Sequence, residues 1–451
     1  QIKTHIIDPV YSSSTRAEFR LPTETVILSN LRLINIGATG TGGGDSFQGM
    51  NGALGVIKQI SLYDDNILLD QLLQVPEYLA FKNYNKSNQE TRDLTPQLVQ
   101  NRLGNEYSGI PTGETNQKGD QVVETIYTNP RQGVLSNDET TTSTGWLKLS
   151  DVFPLLNATT ALNTDIMKGL KVVVEYNESD GEYVASNMNR TPYKPVESQL
   201  ICDEVVGDVG REKLGKFEQI NYFSIEHDRA TIPNCSNLVV PSTATDIAGC
   251  LKVSTQSQTL HINGFNNKSV GRMLITKNSP NNNWRKYDGT NPATGNAGRM
   301  GKTQSVAVNK EVLQCRVNGK PLIAGSGITR ANQRLGMLHD VFGQCSTYNF
   351  GNGLPFISAD GDDRGDIVQG NGYLDLSCTD FYGLNLNNKV DDLQIDFSRQ
   401  ANFSEIGADF NDSKLSTQNN SSNQALTLNF YIEVFKTIIP NSDGTYNVAY
   451  V

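Results

Sequence analysis

The segment from Val312 to Ile323 constrains the fold more than any other stretch of this chain. Leu313, Cys315 and Val317 alternate with Gln314 and Arg316, which puts apolar and polar side chains on opposite faces of a strand. The run ends at Asn318-Gly319, a pair that accepts the positive φ values of the tight turn between two right-twisted strands. A helix is predicted next, capped by Thr329 and stopped by Gly343, with Ala331, Leu335, Leu338 and Phe342 at helical spacing. The same order of parts occurs earlier. Val56 to Tyr63 and Ile67 to Leu73 flank the turn residues Asp64, Asp65 and Asn66, and a helix is predicted from Ser150 or Asp151 to Leu170. Its apolar positions are Val152, Leu155, Leu156, Leu162, Ile166, Met167 and Leu170, with Pro154 in the first turn.

Further strands are predicted at Ala17 to Leu21, Val26 to Ile36, Lys171 to Tyr176 and Leu200 to Val206. The consecutive Val172, Val173 and Val174 mark a strand buried on both faces. In the second half come Ile220 to Glu226, closed by Glu226-His227-Asp228, then Leu251 to Val253, Thr259 to Phe265 and Leu374 to Leu376. Leu393, Ile395 and Phe397 alternate with Gln394, Asp396 and Ser398, and a long strand runs from Leu426 to Phe435. Between the first hairpin and its helix, Asn83 to Thr144 is polar apart from islands such as Val122, Val123 and Ile126, and reads as a loop excursion without a clear element.

A chain of 451 residues exceeds what one core usually serves. The expectation is an all-β protein with a few short helices, in two tandem domains over residues 1–212 and 213–451, the boundary lying near Gly207 to Lys216. Two eight-stranded jelly rolls would spread about 16 strands at roughly 28 residues each, against about 8 to 12 in a compact sandwich, so loops carry much of the mass.

The formal charge of −10 argues against a broad phosphate-neutralising surface, because nucleic-acid affinity comes largely from Lys and Arg releasing counterions. The six cysteines, Cys202, Cys235, Cys250, Cys315, Cys345 and Cys378, include no C-x-x-C pair, so neither a zinc signature nor a dense disulfide framework is expected. Gln1 to Phe19 contains no apolar core of a signal peptide, no apolar run is long enough to span a bilayer, and a start at Gln1 suggests residues upstream.

Taken in order along the chain, several segments resemble the double jelly-roll major capsid proteins of polinton-like viruses, virophages and adintoviruses, relatives of the adenovirus hexon lineage. They are Ser14 to Pro22, Val56 to Leu62, Leu149 to Tyr176, His261 to Phe265 with Val270 to Ile275, Val317 to Leu322, Arg330 to Gly343, Val390 to Ile395 and Leu426 to Tyr450. The resemblance implies two tandem eight-stranded jelly rolls standing upright in a pseudo-hexagonal homotrimer. That trimer would tile an icosahedral shell around a double-stranded DNA genome. It also implies a non-enzymatic structural protein of the virion, assembled in the host cytoplasm or nucleus, without cofactors. Its partners would be other copies of itself, neighbouring capsomers, and penton and minor capsid proteins. The excursion from Asn83 to Thr144 and the stretch from Asn278 to Lys302 are the candidate tower or clasp loops.

Other motifs are weighed against plainer readings. Gly295 to Thr303 looks like a phosphate-binding loop, but Asn296 stands five residues before Gly301 where a glycine is needed, which favours a surface loop. Asp360, Asp362 and Asp366 suggest a calcium loop, yet Arg364 sits at a ligand position and Asn371 replaces the closing Glu. Arg364, Gly365 and Asp366 form a tripeptide by which some viruses engage receptors, beside the plainer reading of a Gly-centred turn. Asn85, Asn157 and Asn402 head glycosylation sequons that matter only after secretion. His5, His227, His261 and His339 show no paired ligand spacing, and no catalytic constellation is assigned. The alternative class is a β-sandwich glycan- or receptor-binding surface protein; a glycoside hydrolase would need two carboxylates at a set separation.

Overall fold

The alternating segments pair as antiparallel strands, and the computed structural model describes residues 1–39, 45–46, 52–84, 108–115, 121–126, 134–135, 144–177, 194–233, 254–278, 312–329, 331–343, 381–401 and 426–451. Among these, residues up to Phe217 form one compact unit and those from Glu218 a second.

The first unit begins with β1 (Ile2–Ile7), β2 (Tyr11–Ser12), β3 (Arg16–Arg20), β4 (Val26–Leu28), β5 (Arg32–Ile36), β6 (Ile57–Asp64), β7 (Ile67–Leu73) and helix α1 (Val75–Tyr84). It continues through β8 (Ser108–Thr115), β9 (Gln121–Ile126), β10 (Gly145–Lys148), the one-turn helix α2 (Leu155–Ala158), β11 (Ala161–Asn163), β12 (Leu170–Tyr176), β13 (Gln199–Val205) and helix α3 (Asp208–Leu214). One sheet runs β1, β13, then β4 and β5, with β10 pairing β5 and β11 pairing β4 on the far side. The facing sheet runs β2, β3, β12, β6, β7. The chain crosses from sheet to sheet in a fixed sequence: β1 in the first, β3 in the second, β4–β5 back, the β6–β7 hairpin across, β10–β11 back, β12 across, β13 back. That is the winding of a jelly roll.

The second unit repeats it. Its strands are β14 (Ile220–Ile232), β15 (Ser254–His261), β16 (Lys268–Asn278), β17 (Val312–Val317) and β18 (Lys320–Pro321), then helix α4 (Ala331–Phe342), β19 (Phe381–Val390), β20 (Leu393–Ala401), β21 (Leu426–Pro440) and β22 (Tyr446–Tyr450). One sheet runs β14, β21, β16, β19, with β22 folded back on β21; the other runs β15, β20, β17, β18. The protein is an all-β double jelly roll with a few helices.

Apolar alternation places each core between its sheets. β12 lies between β3 and β6 and buries Val172, Val173 and Val174 alike. In the second unit Met273, Leu313, Cys315, Leu384, Ile395 and Phe430 belong to one continuous buried cluster. The predicted turn is present: Asn318 and Gly319 have φ of 53° and 76°. The Asn318 side chain also donates to Lys389 O at 3.0 Å and accepts from the N–H groups of Asp391 and Asp392 at 2.7 and 3.1 Å, tying this turn to the one between β19 and β20. Gln314, on the face opposite Cys315, is buried under the following loop, where its side chain donates to Ile323 O at 2.8 Å.

The predicted helix of the second half is found as α4. Gln333 reaches back to accept from Thr329 N and Oγ1 at 2.9 and 3.1 Å, and Gly343, at φ +83°, closes the last turn on His339 O. Leu338 packs on Gly383, where an added Cβ would come within 3.0 Å of the Leu338 Cα.

The helix predicted over Asp151 to Leu170 is not there. Leu149–Asp151 is a 3-10 turn, α2 lasts four residues, and Leu162 lies in β11 opposite Ile27 of β4. Pairing with a strand more than a hundred residues away overrode the local spacing, which arose from separate elements facing one core. The helix of this half is α1, directly after the β6–β7 hairpin, with Val75, Tyr78 and Leu79 buried. The region from Asn83 to Thr144, expected to lack an element, contains the β8–β9 hairpin with Val122, Val123 and Ile126 on its second strand. β14 does not close at Glu226-His227-Asp228 but runs on to Ile232. Leu251 to Val253 and Leu374 to Leu376 lie outside the described residues, as does Asn278 to Lys302 apart from Asn278, the last residue of β16. No described helix is long and apolar enough to cross a membrane.

Candidate assembly surface

Reactive groups in the described residues are dispersed. Cys202 and Cys315 are free and buried, and burial pushes both thiols up to about 12. His5 meets Glu204 at 2.7 Å and His227 meets Asn429 at 3.1 Å, whereas His261 and His339 are exposed beside Asp392 and Asp340 at 3.9 and 3.8 Å. Among the described residues no three His, Cys, Asp or Glu side chains are placed to hold a metal ion. The candidate tripeptide Arg364, Gly365 and Asp366 lies outside the described residues. So do Asp360, Asp362, Asn371, the stretch Gly295 to Thr303, Cys235, Cys250, Cys345, Cys378, Asn85 and Asn402. Asn157 is exposed, with its amide donating to Ser150 O at 2.7 Å.

What the geometry offers instead is sheet edge. In each roll the first strand pairs with a strand near the roll's end, β1 with β13 and β14 with β21, and among the described residues β1 and β14 are outermost in their sheets. An outermost strand presents unpaired N–H and C=O groups to whatever lies beside it.

β1 is fastened by polar contacts. Asp203 of β13 accepts from Thr4 Oγ1 at 2.6 Å, Asn30 Nδ2 at 2.7 Å and Arg32 at 3.0 Å. Its neighbour Glu204 meets His5 and Thr25 Oγ1 at 2.7 Å each and Arg211 at 3.0 Å. Burial works to raise the Asp203 carboxyl, but hydrogen bonds from Thr4 and Asn30 and the Arg32 charge outweigh it and hold it below its ordinary value. Glu204 is lowered by the Thr25 hydroxyl first and His5 next. Apolar fastening is slight: Ile2 and Ile6 are 63% and 62% exposed, and Val10 and Tyr11 beyond them are also exposed.

β14 is fastened by burial. Tyr222, Ile225 and Ile232 are buried, and Phe223 stands half out, its ring edge-on to Phe435 at 5.3 Å. Glu226 takes Lys268 at 2.9 Å and Lys436 at 3.5 Å, and the Tyr450 ring lies under both ammonium groups at 4.1 and 4.9 Å. Burial would raise the Glu226 carboxyl; the Lys268 and Tyr450 hydrogen bonds and the Lys436 charge bring it below its ordinary value instead. These cations allow a carboxylate to sit mid-strand, where the sequence pattern implied an end.

Solved structures share this arrangement over the whole chain. The crystal structure of PBCV-1 VP54, fitted into a cryo-EM reconstruction of the virophage Sputnik, matches with a TM-score of 0.58 at 10% identity, covering 100% of this chain and 97% of that one. The PBCV-1 virus capsid matches at 0.53 and 10%, with the same coverage. The Sputnik virophage structure from cryo-EM matches at 0.50 and 10%, covering 100% of this chain and 88% of that one. At such identity the likeness is one of fold. No protein-family model matches the chain, and no curated protein matches it in sequence.

Proposed function

We propose that this protein is a major capsid protein: a structural, non-enzymatic subunit of a virion that forms homotrimers and tiles an icosahedral shell around a double-stranded DNA genome. The observation that carries this reading is the repeated jelly-roll winding, strand for strand, in two units of one chain. Supporting it, the likeness to PBCV-1 and Sputnik structures spans the full chain. Three copies of a subunit with two similar domains approximate six-fold shape, so one chain tiles a flat facet while closed symmetry limits the oligomer.

In this reading each compact unit, up to Phe217 and from Glu218, is one roll, and both stand upright in the shell. The stretches 83–144 and 278–302 supply tower or clasp loops. The remaining partners are neighbouring capsomers, penton and minor capsid proteins; the charge of −10 argues against a direct grip on the genome.

Light scattering on the purified protein tests the reading. A stable species at three times 49.5 kDa, with hexagonal outlines by electron microscopy, is the expected result. A strict monomer at all protein concentrations overturns it.

A further inference from the structure

Asparagine followed by glycine is chemically labile. The glycine nitrogen can attack the Asn side-chain carbon and close a five-membered succinimide, because glycine has no Cβ to crowd the ring. Such pairs are headed by Asn51, Asn263, Asn318, Asn352 and Asn371, of which Asn263-Gly264 and Asn318-Gly319 lie whole within the described residues.

These two form a matched pair. Both are exposed, and both follow a buried β-branched residue, Ile262 or Val317. Gly264 and Gly319 have φ of +89° and +76°, each with open space where a Cβ would stand. The difference lies in the amide. That of Asn318 is held by Lys389 O at 3.0 Å and by the N–H groups of Asp391 and Asp392 at 2.7 and 3.1 Å, so it cannot swing toward Gly319 without breaking them. Among the described residues nothing bonds the Asn263 side chain or the Gly264 N–H. The flanks hold this turn instead. Ile262 and Phe265 are buried, Ile262 N donates to Leu393 O at 3.0 Å, and Asn267 N donates to Val390 O at 2.8 Å. Asn263 and Gly264 are thus left free between two anchors, against the β19–β20 turn that carries Asp391 and Asp392.

We propose that Asn263 is a self-modification site, a slow charge switch in the β15–β16 turn, where the native fold permits a deamidation that it suppresses at Asn318. Gly264 N bonds to Asn263 Cγ, the Cγ–Nδ2 bond breaks, and Nδ2 leaves as ammonia with the proton from the Gly264 N–H. Water then opens the ring at one carbonyl to give aspartate, or at the other to give isoaspartate, whose main chain runs through Cγ. Nothing is oxidised or reduced. Either product places a carboxylate at the end of the roll where Asp391 and Asp392 already lie, and isoaspartate also lengthens the main chain between the anchors by one carbon. In a shell subunit that is not replaced the change accumulates with age; that purpose rests on the capsid reading, whereas the chemistry does not.

The test incubates the full chain in mildly alkaline buffer, which speeds succinimide closure, and follows both sites by proteolytic mapping and mass spectrometry as –NH2 becomes –OH. A sample unfolded in guanidinium chloride gives the intrinsic rate at each site. Folding should slow Asn318 at least about tenfold more than Asn263, the factor imposed by first opening one or two hydrogen bonds. Equal slowing at the two sites, or greater slowing at Asn263, overturns the proposal. Asn263→Gln, which would need a six-membered ring, should abolish the product in its peptide; a mass gain that persists there places the reaction at Asn266 or Asn267 and also overturns it. Neither result bears on the trimer, which light scattering reads separately.

Discussion

β1 and β14 hold the same place in their rolls, first in sequence and, among the described residues, outermost in the sheet, yet one leans on hydrogen bonds and the other on buried side chains. β14 runs for 13 residues and buries Tyr222, Ile225 and Ile232; β1 runs for six and leaves Ile2 and Ile6 in solvent. Burying a large apolar side chain contributes about 1.5 to 3 kcal/mol, and a net hydrogen bond about 0.5 to 1.5. The difference teaches that one fold position can be built either as a fixture or as a fastening that releases more easily.

The largest expected effect is on the fixture. Tyr222→Ala opens a cavity beside Lys436 and should cost about 3 kcal/mol or more, read as a lowered denaturation midpoint with lost hydrogen-exchange protection along β14. If it costs no more than Ile6→Ala in β1, the contrast is false. Next, Lys436→Met removes the donor to Ser224 at 3.2 Å and one of the two cations on Glu226. A loss of about 1 to 3 kcal/mol should follow, with faster exchange in β22, because Tyr450 loses one of its flanking ammonium groups.

On the weaker fastening, Glu204→Gln should cost about 1 kcal/mol and speed exchange across Ile2–Ile7 several-fold while leaving β14 unchanged. Acid sharpens the same comparison. Asp203 and Glu204 are held below their ordinary values, so their contribution is fully present above the unfolded carboxylate range, about pH 4, and is lost as pH falls through the folded values. Glu226 has the same sign, but β14 keeps its buried side chains. Protection corrected for intrinsic exchange should therefore vanish from β1 at a higher pH than from β14; simultaneous loss would show that both strands belong to one cooperative unit.

The sequence was most legible where structure is local. Asn318-Gly319, the alternation of Leu313 to Val317, and Gly343 after an amphipathic run each act within a few residues, and all three were found in place. Val172 to Val174 read correctly because burial on both faces leaves a run that no exposed strand shows. The errors came from distance. Leu155, Leu156, Leu162 and Leu170 mimic a helix because several short elements face one core, and what sorts them is a ladder to β4. The acidic Glu226 looked like an end because Lys268 and Lys436, which neutralise it, arrive from two later strands. β1 escaped notice for the same reason that makes it of interest: its alternation points isoleucines outward, and an exposed apolar face leaves no fold signature.

The smallest expected effect decides what those isoleucines are for. Ile2→Ser and Ile6→Ser should each change the stability of the isolated chain by less than about 0.5 kcal/mol, the usual range for an exposed site away from caps and cores. Denaturation at low protein concentration measures it. A loss above about 1 kcal/mol would mean that residues of the same chain cover β1, making it a fixture like β14. A neutral result means that the fold gains nothing from an apolar residue at either position.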